Sequence, residues 1–221
     1  MTFRLFEGYF NTSLRNLSIG GGSPLTGLSI ISSYRSLPRI ILVETNIMSR
    51  PVDETLVREF GDNVSESFKW FRPARATISW LYYWIKFHSE AETVRQLPMQ
   101  QPGEYNISKS VDEAIKEHDG RDWERAMRSN VDDLIRLVSE LERRGCKVFF
   151  FELPSVYGIE RSDYAVAARR LTRNAVPDVE RWMTLINPDN QLRWLDAFHM
   201  DERSAIIVAR QIDQFLNNVS R

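Results

Sequence analysis

The chain carries one cysteine, Cys146, among its 221 residues. A lone thiol excludes an internal disulfide framework and any zinc site built from a cysteine cluster. Histidine is nearly as scarce. His88, His118 and His199 are scattered without metal-ligand spacing, so neither a metal nor another cofactor is expected. An excess of either charge is also missing: Lys+Arg (29) and Asp+Glu (30) leave a net charge of −1. No basic field therefore announces a nucleic acid or an anionic membrane, and neither is an expected partner. Long apolar runs are absent too. The longest aromatic-apolar stretch, residues 78–85 (ISWLYYWI), is far below the roughly 20 residues of a membrane span. The opening MTFRLFEGYF lacks the basic, apolar and small-residue regions of a signal peptide. What is present is 43% hydrophobic and 27% charged, a mix that fills one sizeable core. Residues 1–221 read as a single domain, with an aromatic-rich helical insertion at about 52–128.

Phe3, Phe6 and Phe10 share one face of a candidate helix over 2–13, and residues 15–19 form a short candidate strand. The run Gly20-Gly21-Gly22-Ser23-Pro24 then leads into a predicted helix over 25–34. Residues 39–44 (RIILVE) read as a strand buried on both faces, followed at once by Thr45-Asn46. Trp70, Phe71, Trp80, Tyr82, Tyr83, Trp84 and Phe87 crowd the middle, as irregular packing helices or an aromatic groove. Val131, Leu134, Ile135, Val138 and Leu141 follow a helical stripe that Gly145 stops. A second buried strand, 146–153, ends at Pro154 and holds Cys146 as a core thiol. A helix over 163–174, a short element within 176–186, a short strand at 192–195 and a helix over 201–217 complete the pattern. Strands alternating with helices predict an α/β fold with a mainly parallel sheet. Ligands of such sheets bind beyond the carboxyl ends of the strands. The residues of interest are therefore 20–23, Thr45-Asn46, Pro154-Ser155 and 196–199.

Asp196 and His199, three apart before the last helix, suit a carboxylate that accepts from imidazole Nδ1 and leaves Nε2 as a general base. The glycine turn offers backbone N–H groups, and Asn46 offers an amide donor after a buried strand. A base, its orienter and two kinds of donor are the parts of acyl transfer. The competing reading is a helix-start Asp beside an incidental His.

The blocks NLSIGG (16–21), IILVETN (40–46) and DAFH (196–199) resemble, in order and spacing, three motifs of the SGNH (GDSL-like) hydrolases. The resemblance covers both ends of the chain. It implies a three-layer α/β/α, flavodoxin-like arrangement, with Gly21 and Asn46 as oxyanion donors, His199 as base and Asp196 as its orienter. The run 16–28 also resembles branches that acylate or deacylate cell-surface polysaccharide, which implies an acylated small molecule or carbohydrate as partner. Two departures stand out. Glu44-Thr45-Asn46-Ile47 replaces the usual Gly-x-Asn-Asp. Nothing before Asn16 matches the strand and Gly-x-Ser turn that supply the nucleophile. The sequence thus reads as starting just after its own serine, with the first strand missing. Three explanations stand: a nucleophile block upstream of Met1, Ser23 in the nucleophile's place (against its plain role as a helix N-cap), or a non-catalytic relative. The first implies self-association through an exposed sheet edge, and leaves localisation open between the cytoplasm and export.

Overall fold

The computed structural model describes residues 22–61, 96–119, 121–187 and 190–220. The predicted helix 2–13, strand 15–19, Gly20, Gly21, the aromatic segment 70–87 and His88 lie outside the described residues.

Three strands form one parallel sheet in the order β1 (Ile40–Glu44), β2 (Lys147–Phe151), β3 (Trp182–Met183). Ile40 pairs with Lys147 and Glu44 with Phe151, while Phe150 and Phe151 pair with Trp182 and Met183. Alternate residues Ile41, Val43, Val148 and Phe150 are buried on one face of the sheet. That face is covered by α1 (Pro24–Ser33), α4 (Glu124–Arg143) and α6 (Asp163–Ala175), through Leu25, Leu28, Leu134, Val138, Ala168 and Leu171. On the opposite face Phe149 meets Phe215 of α7 (Glu202–Val219) edge-on, 5.2 Å between centroids. Among the described residues this is a mixed α/β structure around a small parallel sheet.

Local chemistry explains the boundaries. Ser23 caps α1 with Pro24 in its first turn. Helix α4 begins at Glu124, seven residues before Val131, where the apolar stripe makes it visible, because residues 124–130 are largely polar. It ends where Gly145 takes φ +94° and Cys146 N–H donates to the Leu141 carbonyl, a left-handed stop that turns the chain into β2. The short element expected within 176–186 is a 3₁₀ turn, Val179–Arg181, running into β3. In place of a strand at 192–195 there is a single antiparallel bridge, Trp194 to Met200. Within 52–128 the described elements are α2 (Glu54–Phe60), a 3₁₀ turn at Leu97–Met99, α3 (Ser108–Asp119) and the start of α4.

The segment after β1 is held from below. Buried Asn130 of α4 donates its amide to the carbonyls of Met48 (2.7 Å) and Arg50 (3.0 Å). Asp53 N–H donates to Thr26 Oγ1, and Ser49 bonds the Tyr164 hydroxyl. Asn130→Ala strands the Met48 carbonyl in a dry site. A buried unpaired acceptor costs about 1–3 kcal/mol. Urea unfolding should register that loss, and a change below about 0.5 kcal/mol would show that the segment is held by its other contacts.

Candidate functional site

The segment before α7 is a small hairpin. Arg193 N–H donates to Ser204 Oγ (2.7 Å) and Asp201 N–H to the Arg193 carbonyl (3.0 Å). Asp201 also caps α7 through Ser204 N–H. Leu195 N–H donates to the His199 carbonyl at 2.7 Å and closes a loop over residues 195–199. Inside it, Asp196 Oδ1 accepts the N–H groups of Phe198 and His199, both at 2.8 Å. The same carboxylate meets His199 Nδ1, at 2.8 Å from Oδ2 and 3.0 Å from Oδ1. Partial burial of Asp196 opposes its charge. The donors from Phe198 and His199 outweigh that, and its pKa lies below the usual carboxylate value. With Nδ1 facing the carboxylate, Nε2 is the nitrogen directed away from it, on a side chain 76% exposed. Exposed Leu195 and Phe198 flank the pair with apolar surface.

Helix α3 carries this loop. Ala197 is buried against Ala114 and Ile159 of α5 (Tyr157–Glu160), and its N–H donates to Ser110 Oγ at 3.0 Å. The His118 ring stacks on Tyr164 at 4.4 Å and lies 5.5 Å from Phe198. Nδ1 of His118 is buried and has no hydrogen-bond partner among the described residues. Desolvation lowers its pKa, against the opposing charges of Glu117 and Asp119. The folded pKa lies below the unfolded 6.5, so this contribution to stability is fully present above pH 6.5. It is lost as pH falls through the folded value. His118→Phe keeps the stack and should flatten unfolding free energy measured from pH 7 to 5. An unchanged acid slope would place the sensitivity elsewhere.

Asn46 stands one residue beyond Thr45, whose N–H and hydroxyl both reach the Phe151 carbonyl. Its side-chain amide acts as another rung of the β1–β2 ladder. Nδ2 donates to the Leu153 carbonyl (2.9 Å) and Oδ1 accepts Leu153 N–H (2.7 Å). The amide plane is fixed at the carboxyl end of the sheet, and Nδ2 carries a second hydrogen. Glu44, just before, is partly buried, and desolvation pushes its carboxyl up to about 7. Ser23 is 6% exposed and its hydroxyl accepts Leu25 N–H at 3.2 Å, the geometry of the N-cap. Gly21 lies outside the described residues. Cys146 is buried, and burial raises its thiol pKa.

A cleft of about 570 Å³ opens beyond the carboxyl ends of β2 and β3. Leu153, the partner of Asn46, forms part of its wall. So does Trp194, whose bridge to Met200 begins the His199 loop. Its arginines Arg169, Arg173 and Arg193 went unnoticed in the sequence, although Arg169 and Arg173 are four apart on α6 and so share a helix face. Among the described residues no group of three or more His, Cys, Asp or Glu side chains is placed to hold a metal. No described helix is long and apolar enough to cross a membrane. Comparison with protein-family models, with curated proteins and with solved structures finds no match to this chain.

Proposed function

We propose that the chain is an SGNH-type serine esterase or O-acyltransferase in a three-layer α/β/α fold, acting on acyl esters such as those of a surface polysaccharide. The observation that carries this reading is the Asp196–His199 pair. It is a carboxylate fixed by two backbone donors, bonded to Nδ1 of an imidazole whose Nε2 side is open to solvent. Asp196 sets the tautomer with the proton on Nδ1. His199 Nε2 then takes the proton of a serine hydroxyl as that oxygen attacks the ester carbonyl. The second Nδ2–H of Asn46 and a backbone N–H at Gly21 hold the oxyanion. Protonated His199 returns its proton to the leaving alcohol. Water completes the cycle in an esterase, and a sugar hydroxyl completes it in a transferase. The apolar flanks Leu195 and Phe198 suit an acyl chain beside the base.

The second reading, a carbohydrate-binding relative without chemistry, is favoured by the capped and shielded state of Ser23. Hydrolysis of a short-chain p-nitrophenyl ester separates the two. It is assayed on this chain and on a form extended at its N-terminus. Turnover that disappears with His199 supports the enzyme. No turnover from either form, with sugar binding retained, supports the binding protein.

A further inference from the structure

Glu152, one residue beyond β2, is bonded by two arginines of α6. Arg169 Nε reaches its Oε2 at 2.7 Å and Arg173 Nε its Oε1 at 3.1 Å. The carboxylate is the sheltered member, its side chain 21% exposed against 41% and 42% for the guanidinium partners. Both arginines are thus more exposed than the carboxylate they hold, and all three side chains line the cleft. Each arginine uses Nε on Glu152 and retains two terminal nitrogens with four N–H donors. Arg173 also lies over the Trp182 ring, its guanidinium carbon 3.7 Å from the centroid. Three arginines line the cleft against two glutamates, Glu152 and Glu160, so its charged lining is positive by one.

Forked donors anchored at Nε fit an anionic oxygen pair, such as a carboxylate or a phosphate, better than a neutral group. The rest of the lining matches hydroxyl-bearing molecules. Thr184, Ser155 and Asn187, whose Oδ1 already accepts Leu192 N–H, offer polar groups beside Trp194. We propose that this cleft binds an anionic carbohydrate unit, its negative group on Arg169 and Arg173 and its hydroxyls on the amide side. The proposal rests on the esterase reading only for the chemistry beside it. There the bound sugar lies between Leu153, which Asn46 holds, and Trp194, which leads to the His199 loop. Glu152 holds the two cations in place and limits the positive charge to what one anion neutralises.

Calorimetric titration of the full chain with methyl glucuronide, glucose 6-phosphate and methyl glucoside tests this directly. The two anionic sugars bind and the neutral one does not, and the tighter of the two identifies the source of the charge. Arg169→Gln weakens binding by about ten- to a hundredfold, the loss of a charge-assisted pair. Arg193→Gln, on a different element, weakens it less. Glu152→Gln removes the competing carboxylate and tightens binding several-fold, a direction that damage to the fold does not produce. Thermal unfolding verifies that each variant is folded. Equal binding of methyl glucoside, no binding of either anion, or anion binding indifferent to Arg169 and Glu152 overturns the proposal. Binding is read without ester turnover. Anion binding with no ester turnover from this chain or from its N-terminally extended form leaves the cleft standing and removes the esterase, and the reverse result does the opposite.

Discussion

His199→Ala is expected to lower ester turnover by about 10²–10⁴-fold, the usual contribution of a positioned general base. The fold should not suffer, because the imidazole is 76% exposed and the loop is closed by the His199 backbone, which alanine retains. The effect should fall on kcat, since the proton moves only as the transition state forms. Asp196→Asn is the companion variant. It keeps an oxygen for the N–H groups of Phe198 and His199 but loses the charge that orients Nδ1. The pair is open to water and its coupling is screened, so the expected loss is smaller, about 10–100-fold. Asp196→Ala would confuse the result by also removing the acceptor that shapes the loop. Turnover in His199→Ala within about threefold of the parent would remove the imidazole from the chemistry.

Glu44→Gln should stabilise the chain at alkaline pH and leave it unchanged in acid. The folded pKa of about 7 lies above the ordinary 4.5 because the carboxyl is desolvated at the end of β1. Between those values the folded chain binds more protons than the unfolded one. The parent is therefore most stable below pH 4.5 on this account and loses stability as pH rises through 7. Each pKa unit corresponds to about 1.4 kcal/mol, so the full penalty is about 3 kcal/mol. Urea unfolding of parent and variant at pH 4.5, 6 and 8 gives the difference directly. The His118 contribution runs the other way and cancels in that difference. A gain for the variant at pH 8 that vanishes at pH 4.5 is expected. A difference constant across the range would mean that folding leaves the Glu44 pKa unshifted.

The strands were legible because apolar runs such as residues 40–43 and 148–151 have no polar interruption. The stop of α4 was legible because only glycine accommodates φ +94° cheaply. The hairpin before α7 was not legible as a hairpin. Its short apolar run, 192–195, looks like a strand, but its pairing comes from Met200 and from the Ser204 side chain, contacts that no local period encodes. Asp196 and His199 stood out by spacing, and the structure brings them together. Spacing cannot reveal the support beneath them, which joins Ser110, Ala114 and His118 on a helix some 80 residues earlier. Asn46 is a related case. The sequence places an amide donor after a strand, but the use of both its polar atoms on Leu153 depends on a register between segments more than 100 residues apart. The arginine-lined cleft was missed because its charges come from α6 and the 190–194 segment. In the overall composition they are balanced by acids elsewhere.

Serine labelling tests the central claim most directly. A fluorophosphonate reacts with a serine only where a base activates it and donors hold the developing oxyanion. The chain and its N-terminally extended form, each with and without His199→Ala, are treated and read by intact mass and peptide mapping. One adduct on a single serine, lost in His199→Ala, is the result expected of an Asp196–His199 catalytic pair. No adduct in either form, or an adduct indifferent to His199, would contradict it.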